Sequence, residues 1–131
     1  MYVSSSDENE NVMKKNSALW ILQVAVAAVV VVSAVPKLAG VPMFVQMFDV
    51  LGLGQWFRYL TALLELGGSA LLLVPGLAGI GSLVLATVMV GAFLAHTLIL
   101  GGSAVPALVL LAATLTIAWF RLKQVPSLVR V

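Results

Sequence analysis

The sequence contains no cysteine and only one histidine, and these two shortages exclude several classes of function. Without cysteine the chain forms no disulfide, no iron–sulfur cluster, no CxxC redox pair and no covalent haem attachment. The single histidine cannot supply both axial ligands of a haem within one chain, and together with Glu65 it falls short of the usual ligand set of zinc. We therefore expect no metal site and no cofactor intrinsic to the chain.

Charged residues are also scarce, at 9% of the 131 residues, whereas a soluble domain carries about a quarter. The 7 basic and 5 acidic side chains form no basic face that could lie along a nucleic acid, so no nucleic-acid partner is expected. Hydrophobic residues, in contrast, make up 62% of the chain, which leaves too little polar surface for a water-soluble globule. The composition indicates a small integral membrane protein surrounded by the lipid bilayer.

Four apolar segments are long enough to cross the hydrocarbon core, which takes about 20 residues of helix. Because the membrane core offers no water to the backbone, helix is favoured over strand despite the many valines. The four predicted spans are residues 18–38, 56–74, 78–100 and 104–122. The tight connection at 75–79 makes the second and third spans antiparallel neighbours.

The segment between the first two spans, residues 39–55, has a different pattern. Apolar residues recur there at helical spacing, with Gln46 and Asp49 on the other side, which is typical of a short helix lying in the membrane interface. A plain loop is the alternative. The predicted fold class is therefore all-α: an integral membrane four-helix bundle with a short interfacial helix between spans one and two.

The ends of the chain are expected to lie outside the bundle. Residues 1–16 are polar and predict a disordered cytoplasmic tail, residues 17–123 the transmembrane domain, and residues 124–131 a cytoplasmic C-terminal tail. Four spans place both termini on one side of the membrane, and the basic residues are concentrated there. The positive-inside rule then predicts the cytoplasmic (inner) membrane with both termini in the cytoplasm. That side would carry Lys14, Lys15, Arg121, Lys123 and Arg130, against Lys37 and Arg58 on the other.

Four ionisable residues fall within or beside the spans, all in the outer half of the membrane: Lys37, Arg58, Glu65 and His96. A charge at bilayer depth costs at least about 2.5–3.5 kcal/mol, so such side chains normally face the bundle interior and find a partner. We expect Glu65 and His96 to converge on each other or on a shared ligand, with Lys37 or Arg58 supplying positive charge from above. All four are candidate ligand-binding residues, and Glu65 and His96 are candidate proton-handling residues.

Each of these residues also has a purely structural interpretation. Lys37 and Arg58 are long enough to reach the lipid head groups with their charged ends. His96 is close enough to the end of its span to hold its ring in interfacial water. Glu65 would serve a structural role if its carboxyl were neutral and hydrogen-bonded to a neighbouring helix.

Three stretches resemble the DoxX family of small four-span membrane proteins: "SAVPKLAG", "YLTALLELGGSALLL" and "LATVMVGAFLAHTLI". They carry Lys37 at the end of span one, Glu65 in span two and His96 in span three, and the resemblance extends over about residues 18–122. It implies a four-span bundle in which these three residues matter. The namesakes of the family are associated with membrane subunits of archaeal quinone-reducing oxidoreductases acting on thiosulfate, so the resemblance also implies a redox association.

Three functions are consistent with these features. The first is an accessory subunit of a quinone-linked redox system, with a polar pocket of Lys37, Glu65 and His96 for the quinone head group; it would not be catalytic alone and would receive electrons from a partner protein. The second is a non-catalytic bundle serving as assembly factor, anchor or chaperone for another membrane protein. The third is a small proton-coupled transporter, for which four helices leave room only in a homo-oligomer.

Overall fold

A computed structural model describes residues 5–122, and these residues are almost entirely helical, with no strand among them. The helices are α1 (Ser5–Ala39), α2 (Pro42–Leu51), α3 (Gln55–Leu72), α4 (Ala78–Ala95) and α5 (Val105–Arg121). A short π-helix (His96–Leu100) continues α4. The four long helices pack in a ring in which α1 and α4 each contact both α3 and α5. The predicted all-α four-helix bundle is confirmed.

The outer surface of the bundle is apolar. Two helical segments, Ser5–Ala39 and Ala78–Leu100, are long and apolar enough to cross a membrane, while Val105–Arg121 is a shorter apolar helix. Helix α3 is less apolar because it contains Arg58 and Glu65. Leucine, isoleucine, valine and tryptophan side chains are exposed along all four long helices, which suits contact with lipid rather than water.

Helix α1 begins at Ser5, so residues 5–16 are helical and differ from the expected disordered tail. Acidic residues in the first turn favour the helix start, and Glu10 and Lys14 form an i,i+4 ion pair of 2.9 Å. Extending a helix already nucleated in the bundle costs little. These residues are exposed, so this part of α1 projects from the bundle. The predicted tail at 124–131, Lys123 and Arg130 lie outside the described residues.

The predicted short helix between the first two spans is confirmed as α2. Pro42 starts it, where a missing N–H costs nothing, and Gly52 ends it in the left-handed conformation at a φ of 76°. Phe48 is buried against α3, with its ring centroid 6.0 Å from that of Phe57. Helix α2 therefore folds back onto the bundle at the end of α1.

Two glycines allow α3 and α4 to approach closely. A Cβ added to Gly81 would lie 2.7 Å from the Gly68 carbonyl oxygen and the Leu72 amide nitrogen, so only glycine fits there. The turn at 73–77 joins these helices as the antiparallel pair that the sequence predicts. The centre of the bundle is a small apolar core contributed by all four long helices: Val26, Ala27, Val30, Leu72, Leu85 and Ile117.

Candidate functional site

A cavity with a volume of about 530 Å³ opens between the helices of the described part of the chain. It lies beside the apolar core and is lined by α1 to α5 and by the π-helix. Most of its wall is apolar, including aromatic side chains from α2 and α3. The polar side chains in its wall include three that the sequence singled out: Lys37, Glu65 and His96. The structure thus brings three of the four candidate residues to one space.

Lys37 and Glu65 form a buried ion pair. Lys37 lies in the last turn of α1 and Glu65 in the middle of α3, and the distance from Lys37 Nζ to Glu65 Oε1 is 2.5 Å. The Lys37 side chain is 13% exposed and that of Glu65 only 2%. Lys37 Nζ also lies 5.6 Å from the centre of the Phe44 ring of α2. The contact ties three helices together at the cavity wall.

The second carboxylate oxygen of Glu65 is buried and has no hydrogen-bond partner among residues 5–122. The Ser69 hydroxyl, one helical turn further along α3, is also buried and has no hydrogen-bond partner among these residues. Buried polar atoms in native proteins are nearly always hydrogen-bonded. No group of residues 5–122 therefore donates to this second Glu65 oxygen in the structure.

His96 reaches the cavity from the point where α4 becomes a π-helix. Its Nδ1 lies 3.2 Å from the Gly101 carbonyl oxygen. Since a carbonyl oxygen only accepts, Nδ1 carries the proton in this contact, which leaves Nε2 for other partners. The backbone N–H of Gly101 donates to the His96 carbonyl in return. Single π turns are frequent at functional sites because they reposition one side chain.

Arg58 takes a different position from the one expected for a ligand-binding residue. It is only 5% exposed and is not among the residues lining the cavity. Its guanidinium donates to the Lys37 carbonyl oxygen and, from Nε, to Gln55 Oε1 at 2.8 Å. Gln55 in turn donates to Asp49 Oδ1 at 2.7 Å. Arg58 thus satisfies a terminal carbonyl of α1 and links it to α2, instead of extending toward lipid head groups.

Sequence reasoning missed a second buried polar group, which lies near the middle of α1 at the opposite end of the bundle. Arg121 at the end of α5 donates from Nε to Gln23 Oε1 at 2.7 Å, and Gln23 donates to the Leu72 carbonyl oxygen at 2.8 Å. The sequence pattern indicates for Arg121 only a positive charge on the cytoplasmic side of the membrane. A glutamine within the long Val/Ala run of α1 is the signal that could have revealed it, because an amide at that depth needs a partner.

A helical membrane bundle with a mostly apolar cavity and a buried Lys–Glu pair is the class of protein that these features define. The family model described as the DoxX-like family matches residues 21–120. The chain therefore belongs to the DoxX-like family and is a membrane protein, as the resemblance implied. Comparison with curated proteins and with solved structures gave no match.

Proposed function

We propose that this protein is a membrane-embedded accessory subunit of a quinone-linked redox system, and that its large cavity binds the quinone head group beside Lys37, Glu65 and His96. The observation that carries the proposal is the Glu65 oxygen without a hydrogen-bond partner among residues 5–122, which is buried at the wall of a mostly apolar cavity. A carboxylate without a donor is costly in such surroundings, and a ligand with polar groups on an apolar body would relieve that cost.

The size and lining of the cavity support this ligand class. Its volume of about 530 Å³ falls within the range of roughly 300–1,000 Å³ that small-molecule sites occupy. Phe44, Phe48 and Phe57 in its wall offer flat apolar surfaces for a ring. The wall also includes residues from the lipid-exposed helices, which suits a ligand that arrives from the bilayer with an apolar tail.

The polar residues have distinct tasks in this proposal. A bound quinone supplies the capacity to take up two electrons and two protons. Lys37 keeps N–H groups for a ligand oxygen after pairing with Glu65, since an ammonium has three donors. Glu65 accepts a hydrogen bond at its free oxygen, and His96 exchanges a proton at Nε2. The electrons come from a partner redox protein, because the chain has no cysteine to hold an iron–sulfur centre.

Quinone binding tests the proposal directly. The purified full chain in detergent is titrated with a short-chain benzoquinone, and the dissociation constant is measured from the quenching of tryptophan fluorescence. Glu65→Gln and His96→Ala should each weaken binding about tenfold or more, the effect expected for losing a hydrogen bond to a charged or proton-bearing group. Asp49→Asn is the matched control, because Asp49 bonds to Gln55 and does not line the cavity. Equal affinity in all four proteins would remove the proposal.

The non-catalytic bundle is a second candidate, and one observation favours it. Lys37 and Glu65 already bond to each other, and Arg58 bonds to the Lys37 carbonyl, so these residues join α1, α2 and α3 without any ligand. In an assembly factor or anchor, their task would be to fix how the helices pack. Replacing both members of the pair with apolar residues would then leave partner capture unchanged, whereas a quinone subunit would lose its ligand.

We also propose that the protein resides in the cytoplasmic membrane with both termini in the cytoplasm. The basic residues at the N-terminal end of the bundle, Lys14, Lys15 and Arg121, support this orientation. A proton-coupled transporter remains the third candidate from the sequence, and proton-dependent flux in proteoliposomes is the measurement that would favour it over the redox role.

A further inference from the structure

A second, smaller cavity lies at the N-terminal end of the bundle, next to Arg121. Its volume is about 140 Å³, and its lining residues come from α1, from the turn before α4 and from the end of α5: Asn16, Trp20, Gln23, Pro75, Gly76, Ala78 and Arg121. On α1, the residue of the large cavity's wall nearest to Gln23 is Val30, which is 7 residues away, or about 10 Å along the axis. This site is therefore separate from the large cavity and independent of the proposed quinone function.

Arg121 is the central group of this small cavity. Its side chain is fixed by hydrogen bonds to two residues of α1: Nε to Gln23 Oε1 at 2.7 Å, NH1 to Asn16 Oδ1 at 2.8 Å and NH2 to the Asn16 carbonyl oxygen at 3.4 Å. The residue is only 5% exposed. The 3.4 Å contact is long for a charged donor, so the NH2 group is the least satisfied part of the guanidinium.

All three acceptors of Arg121 are neutral oxygens. The other buried charges near the bundle have an acid close by: Lys37 pairs with Glu65, and Arg58 reaches Asp49 through Gln55. Among residues 5–122 no carboxylate pairs with Arg121. The carbonyl end of α5 compensates this cation only in part, because Arg121 is the last residue of that helix, so an anion from outside would be favoured.

The start of α4 lies at the same cavity. Ala78 is the first residue of this helix and lines the cavity, and Leu77 before it offers no side-chain cap. The first backbone N–H groups of a helix lack partners within it and carry partial positive charge. Gly79 brings this helix start against the end of α5, since a Cβ there would lie 2.9 Å from the Leu122 nitrogen. A guanidinium and a helix N-terminus thus face one small space.

We propose that this cavity binds a phosphate group, held by the Arg121 guanidinium and the first turn of α4. Guanidinium groups match phosphate oxygens in a bidentate geometry, and helix N-termini are common phosphate sites. Trp20, whose ring centre lies 5.8 Å from the guanidinium carbon, closes one side. The phosphate comes either from the head group of a phospholipid or from phosphate in solution, and both sources present the same oxygens to the site.

Thermal unfolding of the full chain in a nonionic detergent, followed by tryptophan fluorescence, tests this proposal. The probes are dihexanoyl phosphatidylglycerol, inorganic phosphate, and dihexanoyl glycerol as the lipid without phosphate. The wild-type chain should be stabilised by a phosphate-bearing probe and unaffected by dihexanoyl glycerol. A response to the phospholipid alone assigns the site to lipid, and a response to inorganic phosphate as well assigns it to the phosphate group itself.

Two variants separate binding from structure. Arg121→Gln should weaken the phosphate response about tenfold or more. Asn16→Asp is the sharper test: its carboxylate would take the place of the Asn16 oxygen 2.8 Å from NH1 and supply the anion within the chain. It should raise the unfolding temperature without any probe and remove the phosphate response. Because the change is isosteric and Asn16 is exposed, this variant is expected to fold.

Lys14→Gln is the matched control, because Lys14 lies at the same end of the bundle, is exposed and pairs with Glu10. It removes the same charge as Arg121→Gln and should keep the full phosphate response. The proposal is overturned if no phosphate-bearing probe stabilises the wild-type chain. It is equally overturned if Asn16→Asp responds to phosphate as strongly as the wild type does.

Discussion

The ion pair of Lys37 and Glu65 allows a quantitative test of how this bundle handles charge. The perturbation is a double-mutant cycle of Lys37→Met, Glu65→Leu and the two combined, each change replacing a charged side chain with an apolar one of similar length. Lys37 Nζ and Glu65 Oε1 are 2.5 Å apart, and the Glu65 side chain is only 2% exposed, so its carboxylate has almost no access to water as a substitute partner. Removing one partner from such a pair leaves the other charge buried and unpaired.

The expected magnitude follows from that geometry. Breaking a buried ion pair by removing one partner costs about 3–5 kcal/mol, whereas replacing both partners with apolar residues is often neutral or stabilising by about 1–4 kcal/mol. Lys37→Met should cost more than Glu65→Leu, because Glu65 is the more deeply buried and already has one oxygen without a partner. The double variant should regain most of the loss, giving a coupling energy of several kcal/mol.

The assay is reversible unfolding in mixed micelles with increasing sodium dodecyl sulfate, followed by the three tryptophans of the chain. Ordinary side-chain hydrogen bonds between membrane helices contribute about 0.6 kcal/mol on average. A coupling energy no larger than this would refute the reasoning, since Lys37 and Glu65 would then behave as an ordinary polar contact. If the double variant is stable, still captures its partner protein and binds a short-chain benzoquinone as the wild type does, the pair has no part in quinone binding and the non-catalytic role is favoured.

Two further predictions concern packing and orientation. Gly81→Ala should destabilise the bundle by about 1–3 kcal/mol, because its Cβ would meet backbone atoms of Gly68 and Leu72. Gly67→Ala is the control in the same unfolding assay and should have little effect, because nothing lies within 4 Å of a Cβ at Gly67. Equal losses of stability in the two variants would contradict the described contact between α3 and α4. The orientation can be tested with single cysteines, since the chain has none of its own. A cysteine in place of exposed Ser5 should react with a membrane-impermeant thiol reagent only after the cells are permeabilised, whereas a cysteine in place of exposed Leu53 should react in intact cells. The reverse pattern would contradict the proposed topology.

The helices themselves could be predicted from sequence because the membrane restricts the choices. Long apolar runs must be helical, and tight turns such as the one at 73–77 must join antiparallel neighbours. Helix α2 could also be predicted from the sequence, because Pro42 and Gly52 mark its ends and its apolar residues recur at helical spacing. The helical start of α1 was harder to predict, because residues 5–16 are polar and exposed, and only the acidic first turn and the Glu10–Lys14 spacing favour a helix there.

The candidate site was predictable in its members and less so in their contacts. Because exposing a charge to lipid costs free energy, the sequence predicted that Glu65 would be buried, as it is. The cavity wall includes both Glu65 and His96. Which cation pairs with Glu65 depends on how far α1 and α3 are rotated toward each other, and spacing along one helix does not fix that rotation. Lys37 forms the ion pair with Glu65, while Arg58 donates a hydrogen bond to the Lys37 carbonyl oxygen at the end of α1.

In the projecting part of α1, the acidic residues lie nearer the N-terminus and the basic residues nearer the bundle. Asp7, Glu8 and Glu10 lie toward its tip, whereas Lys14 and Lys15 lie close to the level at which Arg121 meets the bundle. Over an anionic leaflet the lysines would be drawn to the lipid head groups and the acids repelled from them. In the proposed orientation, that order would favour a helix standing upright from the bilayer over one lying flat, with Ser5 about 15 Å above the level of Lys15.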